Sequence, residues 1–143
     1  MADYILAVDQ AGLNNTATRV SDAAPLPIAV LPSTAAATAP TNSTTTALVN
    51  SLIVKASSGN LYGFSGYNSK ATSQFIQVFD SATVPADGAT AVINITVPAT
   101  SNFSYSAGRF SRRFNAGIVI TNSSTAPTKT IGVADCSIDV QFA

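Results

Sequence analysis

Histidine, glutamate and tryptophan are missing from the sequence, cysteine and methionine occur once each, and charged side chains make up only 10% of the residues. Each shortage removes a class of chemistry. Without histidine, Cys136 lacks the base that activates a thiol nucleophile, and a transition-metal site loses its commonest nitrogen ligand. A lone cysteine also rules out an intrachain disulfide, so the chain is not a stapled scaffold. Lys and Arg total seven and so do the acidic residues, giving a formal net charge of zero. That balance argues against nucleic-acid binding, which needs a basic face to neutralise phosphates. The start of the chain, Met1 to Gln10, has neither the basic nor the long apolar region of a signal peptide, and no apolar run approaches the roughly 18 residues of a membrane span. The expectation is a protein made in a cytoplasm, with no membrane partner.

A catalytic pair of carboxylates would have to come from Asp80, Asp87, Asp135 and Asp139. Asp87 precedes a glycine in a turn signal, and Asp139 falls on the outward side of a strand. No enzyme activity is expected. The glycines Gly59, Gly63 and Gly66 have the wrong spacing for a phosphate loop, so no cofactor is expected. So little charge leaves the surface weakly self-repelling. Either a partner covers part of it, or hydroxyls and amides alone keep it soluble.

What the chain does have is Ser, Thr, Ala, Asn and Val in abundance, with few strong helix formers, which points to an all-β domain. Leu48 to Asp80 holds three apolar runs of strand length: Leu48 to Ala56, Leu61 to Tyr67 and Gln74 to Asp80. They suggest a β-meander whose first turn, Ser57-Ser-Gly-Asn60, uses a glycine able to adopt positive φ. In the third run Phe75, Gln77 and Phe79 face one way and Ile76, Val78 and Asp80 the other, so both faces should be covered. Ala91 to Val97 alternates with Ile93, Ile95 and Val97 inward. Phe103, Tyr105, Phe110 and Phe114 continue as a strand broken at Gly108, Ala116 to Thr121 is a further apolar run, and Cys136, Ile138, Val140 and Phe142 alternate in the last strand. About eight strands with turn signals at short intervals fit an antiparallel sandwich or barrel. Five Asn-X-Ser/Thr triplets, at Asn14, Asn42, Asn94, Asn102 and Asn122, carry no weight in so Ser/Thr-rich a chain.

Residues 1–47 suggest an extended N-terminal arm with short strands at Tyr4 to Val8 and Pro25 to Leu31, ahead of a sandwich domain at 48–143. The run Ser33 to Thr46 has almost nothing to bury and fits either a loose linker or an arm that orders on a neighbour. Leu26, Ile28, Val30 and Leu31 favour the arm, since a solvated tail has no reason to carry them. Arg109, Arg112 and Arg113 place three of the seven basic residues within five positions. They serve either as like-charge protection of a strand edge or as bidentate anchors for carboxylates on a partner.

Several phrases carry a resemblance: Ser51 to Phe64, Gln77 to Gly88, Val97-Pro98, Phe114 to Ile120 and Ser123 to Thr130. Together they resemble small virion proteins of tailed bacteriophages, the capsid decoration or cement proteins of jelly-roll fold, over about residues 48–142. The resemblance implies an antiparallel jelly-roll-like β-sandwich that stabilises an assembled shell. It implies the major capsid protein as partner, a homo-oligomer (dimer or trimer), and a place on the capsid surface of the virion. It supplies no active-site residues. In this reading Leu26, Ile28, Val30, Leu31, Arg109, Arg112 and Arg113 bind the partner. The competing expectation is a tail-tip or fibre receptor-binding jelly roll with a glycan platform built from Tyr62, Tyr67 and Tyr105.

Overall fold

The computed structural model describes residues 39–108 and 110–143, together with the two short strands Tyr4–Ile5 and Thr18–Arg19. The chain divides into two compact units, Met1–Ala37 and Thr38–Ala143. In the first, β1 (Tyr4–Ile5) pairs antiparallel with β2 (Thr18–Arg19). The strand expected at Pro25 to Leu31 lies outside the described residues.

The second unit is all-β, with no helix among the described residues. Its strands are β3 (Thr41–Thr44), β4 (Ser51–Lys55), β5 (Gly59–Asn68), β6 (Gln74–Asp80), β7 (Ile93–Val97), β8 (Ser101–Ser106), β9 (Arg112–Phe114), β10 (Ile118–Ser123) and β11 (Cys136–Phe142). They form two antiparallel sheets, ordered β4-β10-β6-β7 and β3-β11-β5-β8, with β9 pairing β5 beyond the end of β8. The path is that of one long antiparallel ribbon. Its tip is the β6–β7 pair, followed outward by β5–β8, β4–β10 and β3–β11, and successive pairs lie in alternate sheets. The β6–β10 and β5–β11 pairings lock the wound ribbon into a jelly-roll sandwich, with β9 as an addition to it.

The interior follows from period-two alternation. Ile76 and Val78, Ile93 and Val97, Ile118 and Ile120, and Ile138 and Val140 meet Leu61, Phe64, Phe103 and Phe114 in one buried cluster. Phe64 stacks on Tyr105 with ring centroids 5.3 Å apart and meets Phe103 edge-on at 6.3 Å. β10 is buried along its whole length, on both faces. Its outer face and that of β6 are roofed by two loops, at 86–91 and 123–131. Gly88 N donates to Lys129 O (2.8 Å), Lys129 N to Ala89 O (2.8 Å), and Gln77 Nε2 to Thr125 O (3.1 Å). Asp87 ties this roof down by an ion pair with buried Lys129 and by accepting from Ile131 N at 3.0 Å. The coverage of β6 expected from its two apolar faces is therefore present.

Two local expectations are corrected. β4, β5 and β6 are not a meander: β4 and β6 both flank β10 in one sheet, while β5 lies in the other. The link after β4 crosses between sheets, and Gly59 has no positive φ; the positive-φ glycines of the second unit are Gly88 and Gly108. Gly59 is instead the first residue of β5, buried where an added Cβ would stand 2.8 Å from Ala143 O. Thr41–Thr44, within the stretch described as arm from its composition, is a strand because its backbone pairs with β11, which needs no apolar side chains.

Candidate interaction surface

The connection from β8 to β9 carries the most exposed aromatic among the described residues. β8 ends where Gly108 turns the chain at φ 73°, and pairing resumes only at Arg112. Phe110 falls between and is 79% exposed, so it does not continue a strand with Phe103 and Tyr105. Beyond it, Phe114 is fully buried in the core and anchors β9 against β5 through the pairs Gly59↔Phe114, Asn60↔Arg113 and Leu61↔Arg112. Arg112 and Arg113 are both exposed, although the first shares a strand face with Phe114. Among the described residues the one ion pair is Lys129–Asp87, so no carboxylate there neutralises these two guanidinium groups. Arg109, Leu26, Ile28, Val30 and Leu31, the other expected partner contacts, lie outside the described residues.

The turn that sets β9 before β10 is held by Asp80. Its carboxylate accepts from the backbone N–H of Asn115 (3.1 Å), Ala116 (2.7 Å) and Gly117 (3.3 Å). Those donors, Asn115 first, hold the Asp80 carboxyl below the usual carboxylate value. Asp87 is lowered in the same direction, chiefly by its bond from Lys129 and then by Ile131 N–H. Asp139, on the outward side of β11, accepts from Thr44 Oγ1 at 2.9 Å.

The fourth carboxylate belongs to a buried polar network. Asp135 Oδ1 accepts from Gln74 Nε2 (2.9 Å) and Asn122 Nδ2 (2.6 Å), and Gln74 also donates to Asn68 Oδ1 (2.8 Å). Asn68 in turn donates to Pro98 O at 2.8 Å, so the network ties both sheets to the β7–β8 connection. Cys136 is buried beside it, and desolvation pushes its thiol up to about 11. It stays protonated at neutral pH and is no nucleophile. Alternation with Ile138, Val140 and Phe142 places Cys136 on the inward side of the last strand, but the sequence reading misses Asn68, Gln74 and Asn122, whose only signal is an amide at an inward position of a strand.

The outward face of the five-stranded sheet has a uniform character. One row across it is Asn42, Gln141, Gly63 and Ser106. The next is Thr44, Asp139, Ser65 and Ser104, and the third is Ser137, Tyr67 and Asn102. Tyr105 points to the opposite side, onto Phe64. The platform expected from Tyr62, Tyr67 and Tyr105 is therefore not formed, because Tyr105 and Tyr67 lie on opposite faces of one sheet.

The geometry defines a jelly-roll sandwich with an exposed aromatic and two exposed arginines at one sheet margin. Compared with protein families, curated proteins and solved structures, the chain matches none.

Proposed function

We infer that the protein is a structural virion component that binds the outer surface of an assembled phage capsid and clamps neighbouring coat subunits. The observation that carries this reading is Phe110, 79% exposed beside the exposed Arg112 and Arg113. Aromatic and arginine side chains are the usual anchors of protein interfaces, and guanidinium forks suit carboxylates on a partner rim. Burial of Phe114 and the Asp80 turn hold the backbone of Arg112 and Arg113 on a rigid body, so little backbone entropy is lost when these two dock. The resemblance of several sequence phrases to capsid decoration proteins is what supports the major capsid protein as the partner.

A protein that binds the assembled lattice and not its free subunits stabilises the lattice by mass action. Residues 1–37, with Leu26, Ile28, Val30 and Leu31, supply reach to a neighbour, as does association into a dimer or trimer. Each adds effective concentration to a modest local contact. The test is to mix purified protein with phage capsids lacking it. Saturable binding over the whole shell, lost in Phe110→Ala and in Arg112→Ala/Arg113→Ala and weakened by deleting residues 1–37, which spares β3, supports the reading. Binding confined to the tail, or none, overturns it.

A further inference from the structure

We propose that the outward face of the five-stranded sheet binds a neutral oligosaccharide. Two open depressions of about 430 and 520 Å³ lie side by side on this face and share Ser65 and Ser104. Each is within the size range of small-ligand sites. Together they run from Gln141 and Asn42 at one end to Tyr67 and Asn102 at the other.

The chemistry of the three rows selects the ligand. No aliphatic side chain points outward from them, so an apolar ligand finds no contact area. No lysine or arginine stands in them, so phosphates, nucleic acids and acidic glycans meet no counter-charge, while the single carboxylate, Asp139, is already engaged by Thr44. A protein partner is poorly served too, because the three rows hold a single large anchor, Tyr67, and no cluster of them. What remains is a closely spaced set of hydroxyls and amides, each able to donate and accept. Short side chains on paired strands lose little rotamer freedom on binding, which matters when each neutral hydrogen bond contributes a modest net gain. Tyr67, 38% exposed, adds an aromatic surface, suited to the C–H face of a pyranose ring. Uncharged, polyhydroxylated and partly apolar on one face is the description of a neutral sugar chain.

This inference is independent of the capsid reading, since it uses uncharged side chains and none of Phe110, Arg112 and Arg113. The experiment is titration calorimetry of the full chain with linear hexasaccharides of β-1,4-glucose, α-1,4-glucose, β-1,4-xylose and β-1,4-N-acetylglucosamine, with oligogalacturonate as the anionic control. At least one neutral chain is expected to bind, with Kd of about 0.1–1 mM, and the anionic one not to. Tyr67→Ala and Asn102→Ala should each weaken binding by about threefold to tenfold. Ser65→Leu, which fills the junction of the two depressions from an exposed position, should abolish it while the circular dichroism spectrum stays that of the parent. Phe110→Ala should leave it unchanged. No binding to any neutral chain, preference for the anionic one, or equal loss in Phe110→Ala would overturn the proposal.

Discussion

Replacing Phe114 by Ala and Phe110 by Ala should separate folding from docking within five residues of chain. Phe114 is fully buried, belongs to the main core cluster, and is the one buried side chain of β9. Truncating a buried phenylalanine costs about 3–5 kcal/mol, from the lost transfer term and the cavity left behind. In a domain of this size each kcal/mol moves Tm by roughly 4 °C, so a fall of about 12–20 °C is expected. Because β9 has only three paired residues, its separation should also unprotect the amides of Gly59 and Leu61 in hydrogen exchange, while Asn60 N keeps its bond to Ala143 O. Phe110 is 79% exposed, and its truncation should change stability by no more than about 0.5 kcal/mol. Guanidinium unfolding followed by tyrosine emission and far-ultraviolet dichroism measures both, since the chain has four tyrosines and no tryptophan. A loss below about 1 kcal/mol for Phe114→Ala, or a large loss for Phe110→Ala, would refute the assignment of one residue to the core and the other to the surface.

Gly66→Ala should destabilise by about 1–3 kcal/mol or prevent folding, because an added Cβ would stand 2.1 Å from Ser137 O and 2.4 Å from Phe103 Cζ. Adding Phe103→Leu should recover only part of the loss, since the carbonyl clash remains; full recovery in a denaturation series would count against it. Cys136 should resist a thiol reagent in the native state and react once the chain is unfolded. With its folded pKa raised to about 11, it contributes stability that is whole below about pH 8.5 and falls as pH rises toward 11. Cys136→Ser should flatten that alkaline decline in Tm. On the acid side, Asp80 and Asp87 are depressed, so their contribution is present above about pH 3.9 and lost as pH falls through their lower folded values. Asp80→Asn should blunt the acid decline, and an unchanged profile would show that the backbone donors at 115–117 do not matter.

Strand positions were legible where alternation was clean. β7 and β11 appear with Ile93 and Val97, and Cys136, Ile138 and Val140, turned inward as their period of two requires. Pairing was not legible, because partners in this fold are set by the winding of the whole ribbon and not by neighbours in sequence. Thus β4, β5 and β6, which look like successive strands of a meander, are divided between the sheets, with β4 and β6 both partners of β10. Polar residues misled in two ways. Gln77 lies on the outer face of its sheet yet is buried, because the loops at 86–91 and 123–131 lie over it, and nothing in its own strand predicts a roof. Gln74 and Asn122 face inward, where only their meeting with Asp135 makes an amide acceptable. At the candidate surface the sequence found the arginines but carried Phe110 on in the strand. The turn at Gly108 releases it, a backbone event that side-chain alternation does not register.

The placement of β11 has a consequence for how the chain comes to be folded. It lies between β3 and β5 and supplies Cys136, Ile138 and Val140 to the interior, so a nascent chain that has not reached residue 142 holds two strands with an open gap between them. Closing that gap joins Thr41 to Phe142, near opposite ends of the second unit, after the local pairings have formed. Folding of the second unit therefore finishes with a keystone insertion. Until it is complete the growing polypeptide exposes strand edges and apolar faces to its neighbours on the same polysome.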